Sequence, residues 1–534
     1  MSFDWSNPYS TTRIPVFARN IVSTSQPLAA QAGLRILAGG GNAVDAAVAA
    51  AAVIALTEPV SNGLGSDCFA IVWDGSRLHG LNASGTAPAA WNPDYFRRKH
   101  QGGVPMRGWD SVTVPGCVAG WAALHGKLGS LPFDQVLAPA IEYAEKGFAV
   151  SPIVQRKWAA QATLLANQPG FAEHFMPRGR APHIGEHFVL RGAADTLRRI
   201  AATQGRDFYE GETAHKLVAH AQAHDAALAP ADLRDYAPEW VTPISQDYRG
   251  YTVHQIPPNG QGIAALIALG ILQNFDLAAR PVDHPDTQHL LIEAMKLAFA
   301  DVYAHVADRA HMRISTEEML SPAYLAGRAR LIDPGRAQVH ATGHAPRGGT
   351  IYLTAADRNG MMVSFIQSNY MGFGSGVVVP GTGVSLQNRG HCFSADPAHA
   401  NAVAGGKRPF HTIIPGFLTR DGAPVMSFGV MGGNMQPQGH LQTLVRMIDY
   451  QQQPQAACDA PRWKWNSGLS LDVESTMRAG LREELQRRGH VLEGVDDPYM
   501  DFGSGQFIWR LGDPAVHGYV AASDSRRDGL AAGF

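Results

Sequence analysis

Gly348-Gly349-Thr350-Ile351-Tyr352-Leu353-Thr354-Ala355-Ala356-Asp357-Arg358-Asn359-Gly360-Met361-Met362-Val363-Ser364-Phe365 runs from a glycine pair into an apolar strand, a polar turn and a second apolar strand. The Asp-Arg-Asn-Gly turn between two such runs predicts a hairpin of 350–356 with 361–368. Upstream, 328–349 is rich in Gly, Pro, His and Arg without apolar periodicity, as expected of an exposed connector. Thr350 therefore opens a strand directly behind a flexible segment. Glycine before a strand is ordinary turn chemistry, and that reading stands by itself. A second reading is chemical. A threonine hydroxyl is a weak nucleophile that needs a base, and a chain cut before Thr350 would supply one in its own α-amino group, with an unperturbed pKa of about 7.7–8.0.

Outward from this hairpin the elements alternate between helices and short strands. Ser25 before Pro27 marks a helix start, and Gly39-Gly40-Gly41 stops it. Asn42 caps an Ala-rich helix over 43–56 that Glu58-Pro59 ends, its small side chains suited to a central, buried position. The runs 69–73 and 78–81 around Asp74-Gly75 predict a further hairpin. Apolar periodicity predicts helices over 117–128, 134–146, 189–202, 211–224, 262–274 and 287–306. Short strands with Gly-rich loops then follow Thr350 as far as Gly433.

The 534 residues carry 44 Lys+Arg against 46 Asp+Glu with no basic stripe, so neither nucleic acid nor an anionic membrane is an expected partner. The most apolar stretch is too short to span a bilayer and contains Asp45. Met1 to Arg13 lacks a secretory pattern, which predicts a cytoplasmic location. The four cysteines, Cys68, Cys117, Cys392 and Cys458, are widely spaced and are expected as reduced thiols. There is no Gly-x-Ser-x-Gly, His-Glu-x-x-His or phosphate-loop motif, and Gly63-Leu64-Gly65-Ser66 lacks the context of a dinucleotide fingerprint. His215, His220 and His224 share a predicted helix, but without a further ligand they read as a polar face, and no metal or cofactor is expected.

The stretch 348–365 resembles the self-cleavage segment of the gamma-glutamyltransferase (gamma-glutamyltranspeptidase) family of N-terminal-nucleophile hydrolases. GGNAVDAAVAAA (40–51), VPGCVAGW (114–121), DYRGYTVHQIPPNGQG (247–262), KLAFAD (296–301), GKRPFHTIIP (406–415), MGGN (431–434) and DSRRDGLAAGF (524–534) match in the family's order across nearly the whole chain. The resemblance implies an α/β fold, the four-layer alpha-beta-beta-alpha sandwich of this hydrolase type. It implies a precursor cut between Gly349 and Thr350 into chains of residues 1–349 and 350–534, which form one intertwined domain. These would pair as a heterodimer, with a dimer of heterodimers left open. Thr350 would be acylated by a small-molecule amide substrate, Ser368 would orient it, and the N–H groups of Gly432 and Gly433 would hold the oxyanion.

The chain also departs from the family's pattern. The arginine that grips a glutamyl α-carboxylate falls at Pro93 within APAAWNPDYF (87–96), and His411-Thr412 replace a serine pair. Tyr370, Arg389 and Cys392 stand where the family places acceptors for the α-amino group. Arg389 would repel an ammonium and attract a carboxylate, unless it is tied into a structural salt bridge. The resemblance with these departures implies an amidohydrolase for a small acidic amide, of oxamate or glutaryl type. The alternatives are a gamma-glutamyl hydrolase or transferase of glutathione, and an uncut, inactive relative. Tyr352 replaces a histidine of the pattern, and the short stretch from Cys392 to Lys407 leaves too little chain for a long lid.

Overall fold

The decisive hairpin forms as read, with Gly349–Ala356 pairing antiparallel to Met362–Tyr370 and Leu353 opposite Phe365. The computed structural model describes residues 9, 13–340, 349–497 and 502–534, so Arg347 and Gly348 lie outside the described residues. The hairpin occupies the middle of a seven-stranded antiparallel sheet. Its order is Leu530–Gly533, Ile21–Thr24, Gly349–Ala356, Met362–Tyr370, Asp67–Trp73, Leu78–Ala83 and Glu239–Val241. Strands from before and after Gly349 are thus interleaved. A second seven-stranded antiparallel sheet runs Val16–Ala18, Tyr519–Ser523, Ser504–Arg510, Ala423–Met431, Gly416–Arg420, Tyr251–Gln255 and Ile244–Tyr248.

Three apolar layers hold the sheets and helices together. Phe69, Tyr352, Ile366, Phe417, Ile508 and Tyr519 fill the space between the two sheets. The outer face of the sheet that carries Thr350 packs on helices Pro27–Ala38 and Ala43–Thr57, and that of the second sheet on Ile263–Leu272, Pro285–His305 and Met435–Ile448. The alpha-beta-beta-alpha order expected from the resemblance is the observed one.

The Ala-rich helix is buried along its whole length, and its small side chains let the helix Pro27–Ala38 approach: a Cβ on Gly33 would lie 3.1 Å from the Ala46 carbonyl. Asn42 and Asp45 close a capping box at its start, an arrangement worth about 1 kcal/mol. The first helix differs slightly from expectation. Its cap is Gln26, whose Oε1 accepts from Leu28 N at 2.6 Å, because the Ser25 hydroxyl donates instead to Glu58 at 2.7 Å. The helix expected from 189 begins only at Ala193, since Gly192 at φ 80° breaks the chain direction against Gly381. Among the described residues no helix is long and apolar enough to cross a membrane.

Candidate active site

Thr350 is 2% exposed and sits at a register shift, with Gly349 opposite Tyr370 and Ile351 opposite Gln367. The bulge brings its hydroxyl level with Ser368 on the neighbouring strand, Oγ to Oγ 3.1 Å. The amide of Gln436 approaches the same oxygen at 3.5 Å. Ser368 is the hub of the site: its Oγ accepts from Tyr370 N at 2.8 Å and from Arg389 Nη2 at 3.2 Å. With both lone pairs taken, its single proton points toward the Gly349 carbonyl, 2.9 Å away, and the Thr350 hydroxyl. The carbonyl before Thr350 is therefore hydrogen-bonded, and the threonine hydroxyl has no carboxylate or imidazole partner among the described residues.

Arg389 lies fully buried in a 3-10 turn, Arg389–Cys392, behind this pair. Its Nη1 donates to Thr412 Oγ1 at 2.8 Å, and its guanidinium stacks over the Tyr370 ring at 4.5 Å. Its Nε has no acceptor among the described residues. Among the described residues no carboxylate lies within 4 Å of it, so the expected alternative of a structural salt bridge is not what the structure shows. Cys392 completes the group beside Arg389 and Tyr370, and burial pushes both its thiol and the Tyr370 phenol above their ordinary pKa values. A cleft of about 310 Å³ is lined by Tyr370 and Cys392 together with Tyr303, Val306, His399 and Phe410. Pro93 opens the surface helix Pro93–His100 behind its cap Asn92.

Gly432 and Gly433 form the turn from strand Ala423–Met431 into helix Met435–Ile448, with φ of 121° and 59° that favour glycine. Neither N–H has a hydrogen-bond partner among the described residues, whereas both carbonyls are engaged, by Met435 N at 3.0 Å and by Gln436 N at 3.2 Å. Two free donors at a helix start suit a developing oxyanion. Gln261 fastens the turn to the rest of the site, donating to the carbonyls of Thr412 at 2.7 Å and Gly433 at 3.0 Å.

His411 is fully buried, and its Nε2 meets Asp67 Oδ2 at 3.1 Å rather than Thr350. Asp67 lies on the strand beside Ser368, directly opposite it in register. Burial raises the Asp67 carboxyl to about 7, partly opposed by the Arg389 charge, and holds the His411 imidazole well below its usual pKa. Asp67, Gln436, Gln261 and Tyr303, which accepts from Asn434 Nδ2, were not singled out in the sequence. Gln436 stands two residues beyond the MGGN motif, and that position was the available signal. Tyr352 faces the inter-sheet core, its hydroxyl 2.7 Å from Ser364 and its ring over Gly429, where a Cβ would collide. His215, His220 and His224 do not converge as ligands. Among the described residues only His289, Glu293 and His490 bring three metal-type donors within 4.8 Å, and there Lys296 Nζ already bonds Glu293 at 2.7 Å.

The gamma-glutamyltranspeptidase family model matches residues 29–534. The chain is 37% identical to the glutathione hydrolase-like YwrD proenzyme of Bacillus subtilis, over 97% of this chain and 98% of that one. It is 35% identical to the oxamate amidohydrolase proenzyme of Klebsiella pneumoniae, over 95% and 97%. Among solved structures, cephalosporin acylase from Bacillus halodurans superposes with a TM-score of 0.94 at 48% identity, covering 100% of this chain and 99% of that one. With the sandwich and the threonine-centred site already in place, these likenesses make the chain an enzyme that belongs to the gamma-glutamyltranspeptidase family.

Proposed function

We propose that the chain is a precursor that cuts itself between Gly349 and Thr350 and then hydrolyses a small acidic amide through a threonyl ester. Among the described residues the hydroxyl of Thr350 has only Ser368 and Gln436 as partners, and neither is a base at neutral pH. The α-amino group freed by the cut supplies one. In the first half-reaction the Thr350 Oγ1 proton passes to that amine as the oxygen bonds the amide carbon, and Gly432 and Gly433 N–H hold the oxyanion. The intermediate collapses by breaking the C–N bond, and the leaving amine takes the proton. Water then attacks the ester with the same amine as base, releasing the acid and restoring the hydroxyl.

The observation that carries the substrate class is the buried Arg389, a permanent cation with an unpartnered Nε and no acid within 4 Å among the described residues. It supports a substrate whose acyl group bears a carboxylate and no neighbouring ammonium, of the oxamate or glutaryl type. The names of the relatives, an oxamate amidohydrolase and a cephalosporin acylase, agree with this. The second reading, a gamma-glutamyl hydrolase or transferase of glutathione, is favoured by the likeness to a glutathione hydrolase-like proenzyme. An ammonium about 4 Å from Arg389 would meet a repulsion of about 4 kcal/mol at an effective dielectric of 20, an upper figure where water enters. A panel of p-nitroanilides with and without the α-amino group decides between the two. Glutaryl amide should be turned over with far higher kcat/KM than gamma-glutamyl amide, and parity would overturn the acidic-amide reading.

A further inference from the structure

Arg389 belongs to a closed circuit of contacts. Its Nη2 reaches Ser368; Ser368 stands opposite Asp67 in the sheet; Asp67 bonds His411; and Thr412, next in the chain, returns to Arg389 Nη1. A buried cation and a buried acid are therefore held on neighbouring rungs of one framework without touching. The acid is firmly placed. Asp67 Oδ1 accepts from Gly85 N at 3.1 Å and Gly116 N at 3.2 Å, which leaves Oδ2 to His411. We propose that Asp67, fixed by His411, is a positioning residue that acts through Arg389 to set how strongly the site takes an anionic acyl group. The proposal rests on the reading of Arg389 given above.

With its proton on, Asp67 leaves the guanidinium uncompensated and ready for a substrate carboxylate. Ionised, it offsets that charge and repels the incoming anion. The other groups felt by Asp67 do not blur the transition. His411 stays neutral because burial lowers its pKa, and burial pushes Cys68, Tyr236, Cys117 and Cys392 upward. The carboxyl itself titrates at about 7, inside an accessible window.

The test uses the processed wild-type enzyme and two substrates with the same leaving group, glutaryl-p-nitroanilide and the neutral pentanoyl-p-nitroanilide. Their kcat/KM ratio is followed from about pH 5.5 to about 9, where the glutaryl carboxylate stays ionised. Ionisation of the nucleophile's amine affects both substrates alike and cancels in the ratio. The ratio should fall on the order of tenfold as the pH rises through 7, the scale of one charge acting across a few ångströms of partly wetted protein. Asp67→Asn keeps an acceptor for Gly85 and Gly116 and should hold the ratio high and flat. A pH-independent wild-type ratio above one overturns the proposal without any variant, as does an Asp67→Asn enzyme that keeps the wild-type fall. A ratio at or below one at every pH refutes the reading of Arg389 instead.

Discussion

Replacing Ser368 with alanine removes a hydroxyl that touches both the Gly349 carbonyl and the Thr350 oxygen. If Thr350 attacks that carbonyl to cut the chain, the donor at 2.9 Å stabilises the tetrahedral oxyanion, a contact typically worth about 2.7–4 kcal/mol. Its loss should slow scission by about 100- to 1000-fold. The fold pays a separate cost of about 1–3 kcal/mol, because the Tyr370 N–H and Arg389 Nη2 lose their shared acceptor. The assay is a time course of freshly purified protein on a denaturing gel, with mass analysis of the smaller fragment's first residue and a thermal melt to show the variant is folded. Ser368→Thr, which keeps the hydroxyl, should recover much of the rate. A folded Ser368→Ala protein that cuts at the wild-type rate would refute the argument that this serine polarises the bond.

Thr350→Ala should remain a single polypeptide without turnover, read by gel and by p-nitroaniline release; fragments starting at residue 350 would assign the cut to another group. Glu474→Gln breaks a buried pair in which Arg526 Nε and Nη2 each approach the carboxylate at 2.6 Å, and it should cost about 3–5 kcal/mol of stability by denaturant melt, while a loss below 1 kcal/mol would contradict it. His440 is fully buried with its pKa lowered to about 3 by desolvation, so the unfolded chain takes up a proton below 6.5 that the native state refuses, and stability falls as pH drops. Relative to His440→Gln, the wild type should lose about 1.6 kcal/mol between pH 6.5 and pH 5, and an unchanged difference would show that the ring is hydrated.

The parts legible in the sequence were those set by neighbours along the chain. The hairpin around Asp357–Gly360 places Thr350 and Ser368 side by side because both strands leave one turn, and Asn42 caps the Ala-rich helix through residues only two and three positions on. The pattern of ordered motifs extended this to the four layers. What stayed hidden depends on contacts between distant segments. Asp67 and His411 are 344 residues apart, and nothing local marks either as the other's partner. Tyr352 could be seen as a replacement, but its inward setting depends on the space Gly429 leaves in the opposite sheet. Arg389 showed its charge in the sequence, but not that it lacks a carboxylate neighbour among the described residues.

The interleaving of strands on either side of Gly349 bears on what a cut there would produce. Ile21–Thr24 and Asp67–Trp73 flank the hairpin 349–370, so each fragment would fill the open sheet edges of the other. Such a break is a nick and not a separation. Dilution would leave the halves joined, since parting them means tearing a continuous sheet, and their shared lifetime would follow the rate of global unfolding and not a docking equilibrium.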